Sequence, residues 1–243
     1  MGKIGHGYGS EWHLLRFLGY HRDTFSRQVR AEIGGEELSW LDFKFSHKNK
    51  ACGRDTEYNG LDFITDQDVL RNWYAFWPTT GQAQNWDAVG RLRLADGTEE
   101  WLLVEAKAHT REIKGNGCSA TSPRSIEKIE KALAETKAAF GASSTPLEDW
   151  MGPYYQYANR LAALYFLMEA YQPALPARLL FIYFLGDKHK NQDCPRTKDE
   201  WKPSIDKMES ALGIDHGSPL FGRVHNLFLP VTPIVKLGNP FKR

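Results

Sequence analysis

Apolar residues along this chain recur with two different periods, and each change of period marks an element. Residues 11–18 carry apolar side chains at helical spacing, with Leu14, Leu15 and Leu18 as the stripe. Ser10 in front of them is a good N-cap, and Gly19 marks the end of this helix or a kink in it. Residues 28–66 are rich in Gly, Asp and Asn and read as short strands and loops. A short helix is expected over residues 67–74. From about Trp86 to Ala108 the period becomes two. Ala95-Asp96-Gly97 suits a three-residue hairpin turn, whose third position needs positive φ and favours Gly. That turn pairs Leu94 with Thr98 and so fixes the register. The even face then holds Ala88, Gly90, Leu92 and Leu94 against Leu102 and Val104. The odd face sets Arg93 opposite Glu99 and Arg91 opposite Trp101. A slip of one residue would scramble both faces.

Downstream, residues 111–121 form a polar, Gly-containing loop. Pro123 opens a helix with Ile126, Ile129, Leu133 and Phe140 on one side, closed by Gly141. A second long helix is expected from Pro153 to just before Pro173. Residues 179–185 are apolar on both parities, which predicts a strand buried on both faces and helices on both sides of its sheet. A helix over 203–212 and a strand over 224–229 complete the pattern. The expectation is one α/β domain over residues 1–243, a central mixed β-sheet flanked by helices on both faces.

Composition narrows the class. Hydrophobic residues make up 42% and aromatic residues 13% of 243 positions, enough for a real core, which excludes a disordered chain. The longest apolar stretch, residues 161–168, is far too short to span a bilayer and is flanked by Asn159, Arg160 and Glu169. The N-terminal residues lack a signal-peptide core. Cys52, Cys118 and Cys194 are too few and scattered for a disulfide framework. A cytoplasmic protein without membrane partners is therefore expected. The net charge of +1 excludes a strongly basic nucleic-acid coat protein. It leaves room for a nucleic-acid enzyme with a local basic face. Two basic clusters exist, Lys44, His47, Lys48, Lys50 and Arg54, and Lys188, Lys190, Arg196, Lys198 and Lys202. Either cluster could equally be a solvated loop.

In the hairpin register, Asp87 lies opposite Glu105, and Lys107 shares their face because strand side chains repeat every two residues. Opposite Cβ atoms lie about 5 Å apart. Two carboxylates that close repel each other unless a cation sits between them. A hard divalent ion such as Mg²⁺, which takes one or two carboxylates and keeps water, answers that need. The competing account of the same residues is an ordinary salt-bridged sheet face.

Trp86-Asp87, a hairpin, then Val104-Glu105-Ala106-Lys107 resembles the PD-(D/E)xK nuclease superfamily, with its restriction-endonuclease-like fold. Glu11 matches the acidic residue that this family often places on its first core helix. The resemblance implies Mg²⁺- or Mn²⁺-dependent hydrolysis of phosphodiester bonds in nucleic acid, with DNA as the expected polymer. It implies that Asp87, Glu105 and the Ala106 carbonyl hold the metal, with Glu11 as an outer or second-metal ligand. Lys107 would position the attacking water. Two departures stand out. Trp86 replaces the usual Pro, and Gln156 is followed four residues later by Arg160 where one branch has Tyr. Gln156, Asn159 and Arg160 share a helix face. Gln156 and Arg160 are expected to grip a phosphate, and Lys44, Lys48, Lys50 and Arg54 to contact the nucleic-acid backbone. A homodimer is compatible with this reading. The alternative is a nucleic-acid-binding or scaffold protein that keeps the fold without cleavage, although a pure binder gains nothing from close carboxylates.

Other candidates carry less. Asp55, Glu57 and Asp62 read as turn acids around Asn59-Gly60 rather than metal ligands. His47 with Cys52, and His189 with Cys194, lack zinc-site spacing. Gly5-His6-Gly7-Tyr8-Gly9 follows no strand and is no phosphate loop. Trp73, Phe76, Trp77 and Trp86 read as core before they read as a base-stacking surface.

Overall fold

Two apolar faces on one set of strands require two layers of cover, and that is the architecture found. The computed structural model describes residues 7–42, 57–78, 84–189 and 192–232. Five strands form a mixed sheet in the order β1 (Glu37–Trp40), β4 (Ala88–Arg93), β5 (Glu99–Lys107), β6 (Ala177–Leu185) and β7 (Val224–Pro230). The β1–β4 and β4–β5 pairs are antiparallel, while β5–β6 and β6–β7 are parallel. A separate two-stranded ribbon joins β2 (Tyr58–Asn59) to β3 (Asn85–Trp86).

The parity of each strand residue decides its layer. Leu102, Val104, Ala106, Leu180, Ile182 and Phe184 pack with Leu14 and Phe17 of α1 (Ser10–Tyr20) and with Phe25, Val29 and Ile33 of α2 (Arg22–Ile33). Val89, Leu103, Leu179, Phe181 and Tyr183 face the other core. There they meet α3 (Gln67–Phe76), α4 (Pro123–Ala139), α5 (Leu147–Met151), α6 (Tyr155–Tyr165) and α7 (Lys198–Ala211). β6 lies between two parallel neighbours with both faces covered, as its continuous apolar run predicts. No helix among the described residues is long and apolar enough to cross a membrane.

The hairpin register is the expected one, with Arg93 opposite Glu99 and Arg91 opposite Trp101. Its turn closes with Leu94 N–H on Thr98 O at 2.9 Å, and Gly97 adopts φ 84°. Other expectations need correction. Gly9, at φ 91°, precedes α1, and Ser10 is the first helical residue without a capping bond. The buried stripe of α1 is His13, Leu14 and Phe17, while Leu15 is exposed. His13 turns inward because its Nε2 meets Asp187 Oδ1 at 2.9 Å. The stretch read as loops from residue 28 begins inside α2. Phe25, Val29 and Ile33 have i, i+4, i+8 spacing there, obscured by the charged residues between them. The second long helix is shorter than expected. α6 runs into a π-helical turn, Phe166–Ala170, and α5 precedes it. α7 starts earlier, at Lys198, capped by the Thr197 hydroxyl accepting from Glu200 N–H, with Pro203 inside it.

At the hairpin-turn end of the sheet, buried Glu100 pairs with Arg178 on β6 and with Arg223 just before β7, each at 2.5 Å. Arg178 also donates to Ile33 O at 2.6 Å, so the triad ties three strands to the end of α2. Removing the shared anion leaves two guanidinium groups unpaired near the interior. Glu100→Ala should therefore cost on the order of 3 kcal/mol in urea unfolding. A loss below about 1 kcal/mol would show that solvent already satisfies both arginines.

Candidate active site

The β4–β5 ladder ends with Ala88 opposite Val104, one residue short of Asp87. Asp87 N–H still reaches Val104 O at 3.1 Å, and Ala106 N–H then donates to Asp87 Oδ2 at 2.6 Å. The aspartate side chain thus takes the place of the next ladder bond. Here the chain also leaves simple alternation. Trp86 packs in the core with Val89 and Leu103, whereas Ala88 packs in the opposite core. The cause is the second ribbon. Trp86 pairs with Tyr58, and its indole N–H donates to Gly60 O at 2.7 Å. Strand geometry sends the N–H and C=O of one residue to the same side. The Ala106 carbonyl therefore faces the Asp87 side as its N–H does.

Glu105 and Lys107 point from β5 toward α6. Glu105 is 3% exposed and has partners for both oxygens. Lys107 Nζ lies 2.5 Å from Oε1. Arg160 sets Nε at 2.9 Å and a terminal nitrogen at 2.7 Å from Oε2. Lys107 Nζ also donates to Gln156 Oε1 at 2.9 Å. Arg160 is held in turn by Asn85 O at 2.6 Å and Asn159 Oδ1 at 2.7 Å, over the Trp86 ring. Burial pushes the Glu105 carboxyl up, but Arg160 and Lys107 more than offset this and hold it below the ordinary glutamate value. Asp87 behaves oppositely. Burial and the neighbouring Glu105 push its carboxyl up to about 8, although Lys107, the Ala106 N–H and Arg160 pull it down.

Asp87, Glu105, Ala106 and Lys107 line one open cleft of about 470 Å³ together with Glu11, Gln156 and Arg160. The expected residues from β5, α1 and α6 are thereby brought together with Asp87. Arg160, expected to hold a phosphate, is bound to Glu105 instead. Lys44, Lys48, Lys50 and Arg54 lie outside the described residues. In the second basic cluster, Lys202 pairs with Asp206, and Lys198 sits over Phe228. The cleft also contains Glu57, Asn85 and Glu112, which the sequence reading missed or set aside as turn chemistry. Glu57 is half-buried. Burial first, then Glu105 and Glu11, raise its carboxyl above the ordinary value. The ribbon places it there: Asn59 pairs with Asn85 and Tyr58 with Trp86, which brings residue 57 beside Asp87. In the present side-chain arrangement, no group of three or more His, Cys, Asp or Glu among the described residues is gathered to hold a metal. The Glu105 oxygens are instead occupied by Lys107 and Arg160.

The raised Asp87 carboxyl has a measurable consequence for the chelated, metal-free protein. An unfolded aspartate titrates near 3.9. Between about 4 and about 8 the folded chain keeps a proton on Asp87 that the unfolded chain has released. Folding stability thus falls as pH rises through that window. Asp87→Asn removes the penalty, so its Tm in EDTA should match wild type at pH 4. At pH 8 it should exceed wild type by on the order of 10–20 °C. Equal Tm differences at the two pH values would show that Asp87 ionises normally.

Comparison with protein-family models, with curated proteins and with solved structures returns no match. The geometry of the cleft must therefore carry the functional reading by itself.

Proposed function

We propose that this chain is a nuclease of restriction-endonuclease-like fold that hydrolyses phosphodiester bonds, in DNA, with Mg²⁺ or Mn²⁺ as cofactor. One observation carries the reading. Two carboxylates and an ammonium from adjoining strands meet in an open cleft at the end of the sheet, beside Glu11 of the first helix. The donor chemistry fits a hard divalent ion. Asp87 and Glu105 supply carboxylates, the Ala106 carbonyl is turned to the same side, and Glu11 borders the cleft. Burial beside Glu105 leaves Asp87 short of compensating positive charge. When bound, the ion would act as a Lewis acid on a phosphoryl oxygen and lower the pKa of a bound water.

The remaining roles belong to the chain. Lys107 has three N–H donors, and Glu105 and Gln156 take two of them. The third is left for an attacking water or a phosphoryl oxygen. Gln156 fixes the ammonium in place. Arg160 holds Glu105 ionised and aims its carboxylate, and Trp86 supports the guanidinium from below. Glu57 sits where it can accept a proton or orient outer waters.

A second reading is a nucleic-acid-binding or scaffold protein with the same fold and no cleavage. It draws on a specific observation, the full pairing of Glu105 with two internal cations. Plasmid and oligonucleotide substrates with Mg²⁺ or Mn²⁺ separate the two. The nuclease reading expects divalent-dependent cleavage, reduced roughly 100- to 1000-fold in Asp87→Ala, Glu105→Ala and Lys107→Ala with the fold retained. Mn²⁺ binding should weaken in the two carboxylate variants and persist in Lys107→Ala. DNA binding without turnover, unchanged in all three variants, would establish the scaffold reading.

A further inference from the structure

Beside the cleft runs a groove of about 650 Å³ whose charged lining is entirely cationic: Arg111, Lys114 and Lys207. Thr110, Asn116 and Ser204 add neutral hydrogen-bonding groups. All three cations are solvent-exposed, and none forms an ion pair with a described carboxylate. The groove along β1 differs. Its lining is mixed: Asp23, Glu36, Glu37 and Glu99 stand among five arginines, three of which are paired, Arg22 to Asp42, Arg91 to Glu99 and Arg93 to Glu37. Unmatched like charges gathered in one groove raise its positive potential and favour a polyanion.

The groove is also built, rather than a chance of exposed side chains. Directly after β5, residues Thr110–Ile113 form a 3-10 turn. It is fixed by Ala108 N–H on Glu112 Oε2 at 2.9 Å and by buried Ile113. The following loop is pinned to the α5–α6 connection. Gly115 N–H donates to Pro153 O and Cys118 N–H to Met151 O, each at 2.8 Å. Gly117 adopts φ 82°, and a Cβ there would meet Met151 O at 2.8 Å, so this close approach requires glycine. Lys114 stands over the ring of buried Tyr154, and α7 supplies the far wall with Lys207 and Ser204. Groove and cleft adjoin: Glu112 lines the cleft while its neighbours Arg111 and Ile113 line the groove. Tyr154 lies two residues before Gln156, the partner of Lys107.

We infer that this groove is the track of the DNA phosphate backbone next to the catalytic cleft, with Arg111, Lys114 and Lys207 as its phosphate contacts. The placement rests on the nuclease reading, because the groove matters as the continuation of that cleft. Cations on a fixed turn and a helix grip phosphates without reading bases, so the contribution is equal for all sequences.

The test is anisotropy of a fluorescent DNA duplex, with Ca²⁺ replacing Mg²⁺, across a KCl series. A triple variant, Arg111→Gln with Lys114→Gln and Lys207→Gln, should lower the log–log salt slope by about 2–3. At about 0.1 M salt it should weaken binding on the order of 100-fold. Arg22→Gln with Arg27→Gln and Arg93→Gln makes the same change of net charge elsewhere and should leave the slope unchanged. Retained Mn²⁺ binding and melting temperature would show that the groove variant is folded. Wild-type slope and affinity in the groove variant, while Asp87→Ala still loses cleavage, would overturn the track and leave the nuclease reading standing. An equal loss in both triple variants would also overturn it, since only net charge would then matter. Wild-type protein that neither binds nor cleaves DNA would sink both.

Discussion

A carboxylate buried to 3% exposure on the central strand of a sheet must find cations or take up a proton, and Glu105 finds cations. Much else is set by that requirement. Arg160 has to come down from α6 toward β5, and α6 is the buried helix of its layer, with Asn159 and Arg160 both inside. Trp86, turned into this layer by its pairing with Tyr58, provides the surface beneath the guanidinium. Lys107 completes the pair and is held in turn by Gln156. Two cations suffice for one carboxylate and not for a second. Asp87, beside Glu105 and itself partly buried, is therefore the group whose carboxyl is pushed up in the metal-free protein.

What could be read from the chain follows from how local each constraint is. The hairpin was legible because turn chemistry, apolar alternation and cross-strand charge all specify one register, and Gly97 sits in the conformation the turn demands. The double-sided burial of β6 was legible from its unbroken apolar run. α2 was not, since Arg22, Asp23, Arg27, Arg30 and Glu32 dominate its composition and hide three core residues at helical spacing. Within the cleft, Glu105 and Lys107 could be placed from the hairpin alone, and Asp87 as the residue next to its last ladder pair. Glu57 could not, because it arrives through the pairing of Tyr58 with Trp86, a contact between segments far apart in sequence. The same non-local pairing produces the step at Asp87 that simple alternation misses. Arg160 was found as a residue but not as the partner of Glu105, because helix spacing says which face a side chain shares and nothing about what opposes it.

The near-neutral charge of the whole chain conceals a separation of charge at this end of the sheet. Among the described residues, Glu11, Glu57, Asp87, Glu105 and Glu112 line the cleft against Lys107 and Arg160 as its cations. Even with a proton on Asp87, that surface repels a phosphate backbone. A polyanion approaches such a cleft only if two conditions hold together. Positive charge must be added inside, which a divalent ion among the carboxylates supplies. Attraction must also be present alongside, which the Arg111, Lys114 and Lys207 groove supplies. Neither condition replaces the other. The groove alone would hold DNA beside a repulsive cleft, and the ion alone would neutralise a cleft with little to steer DNA toward it. Under the proposed nuclease function, the acidic surplus would act as a filter, in which the arrangement that would perform hydrolysis is also the one that first makes the cleft accessible to DNA.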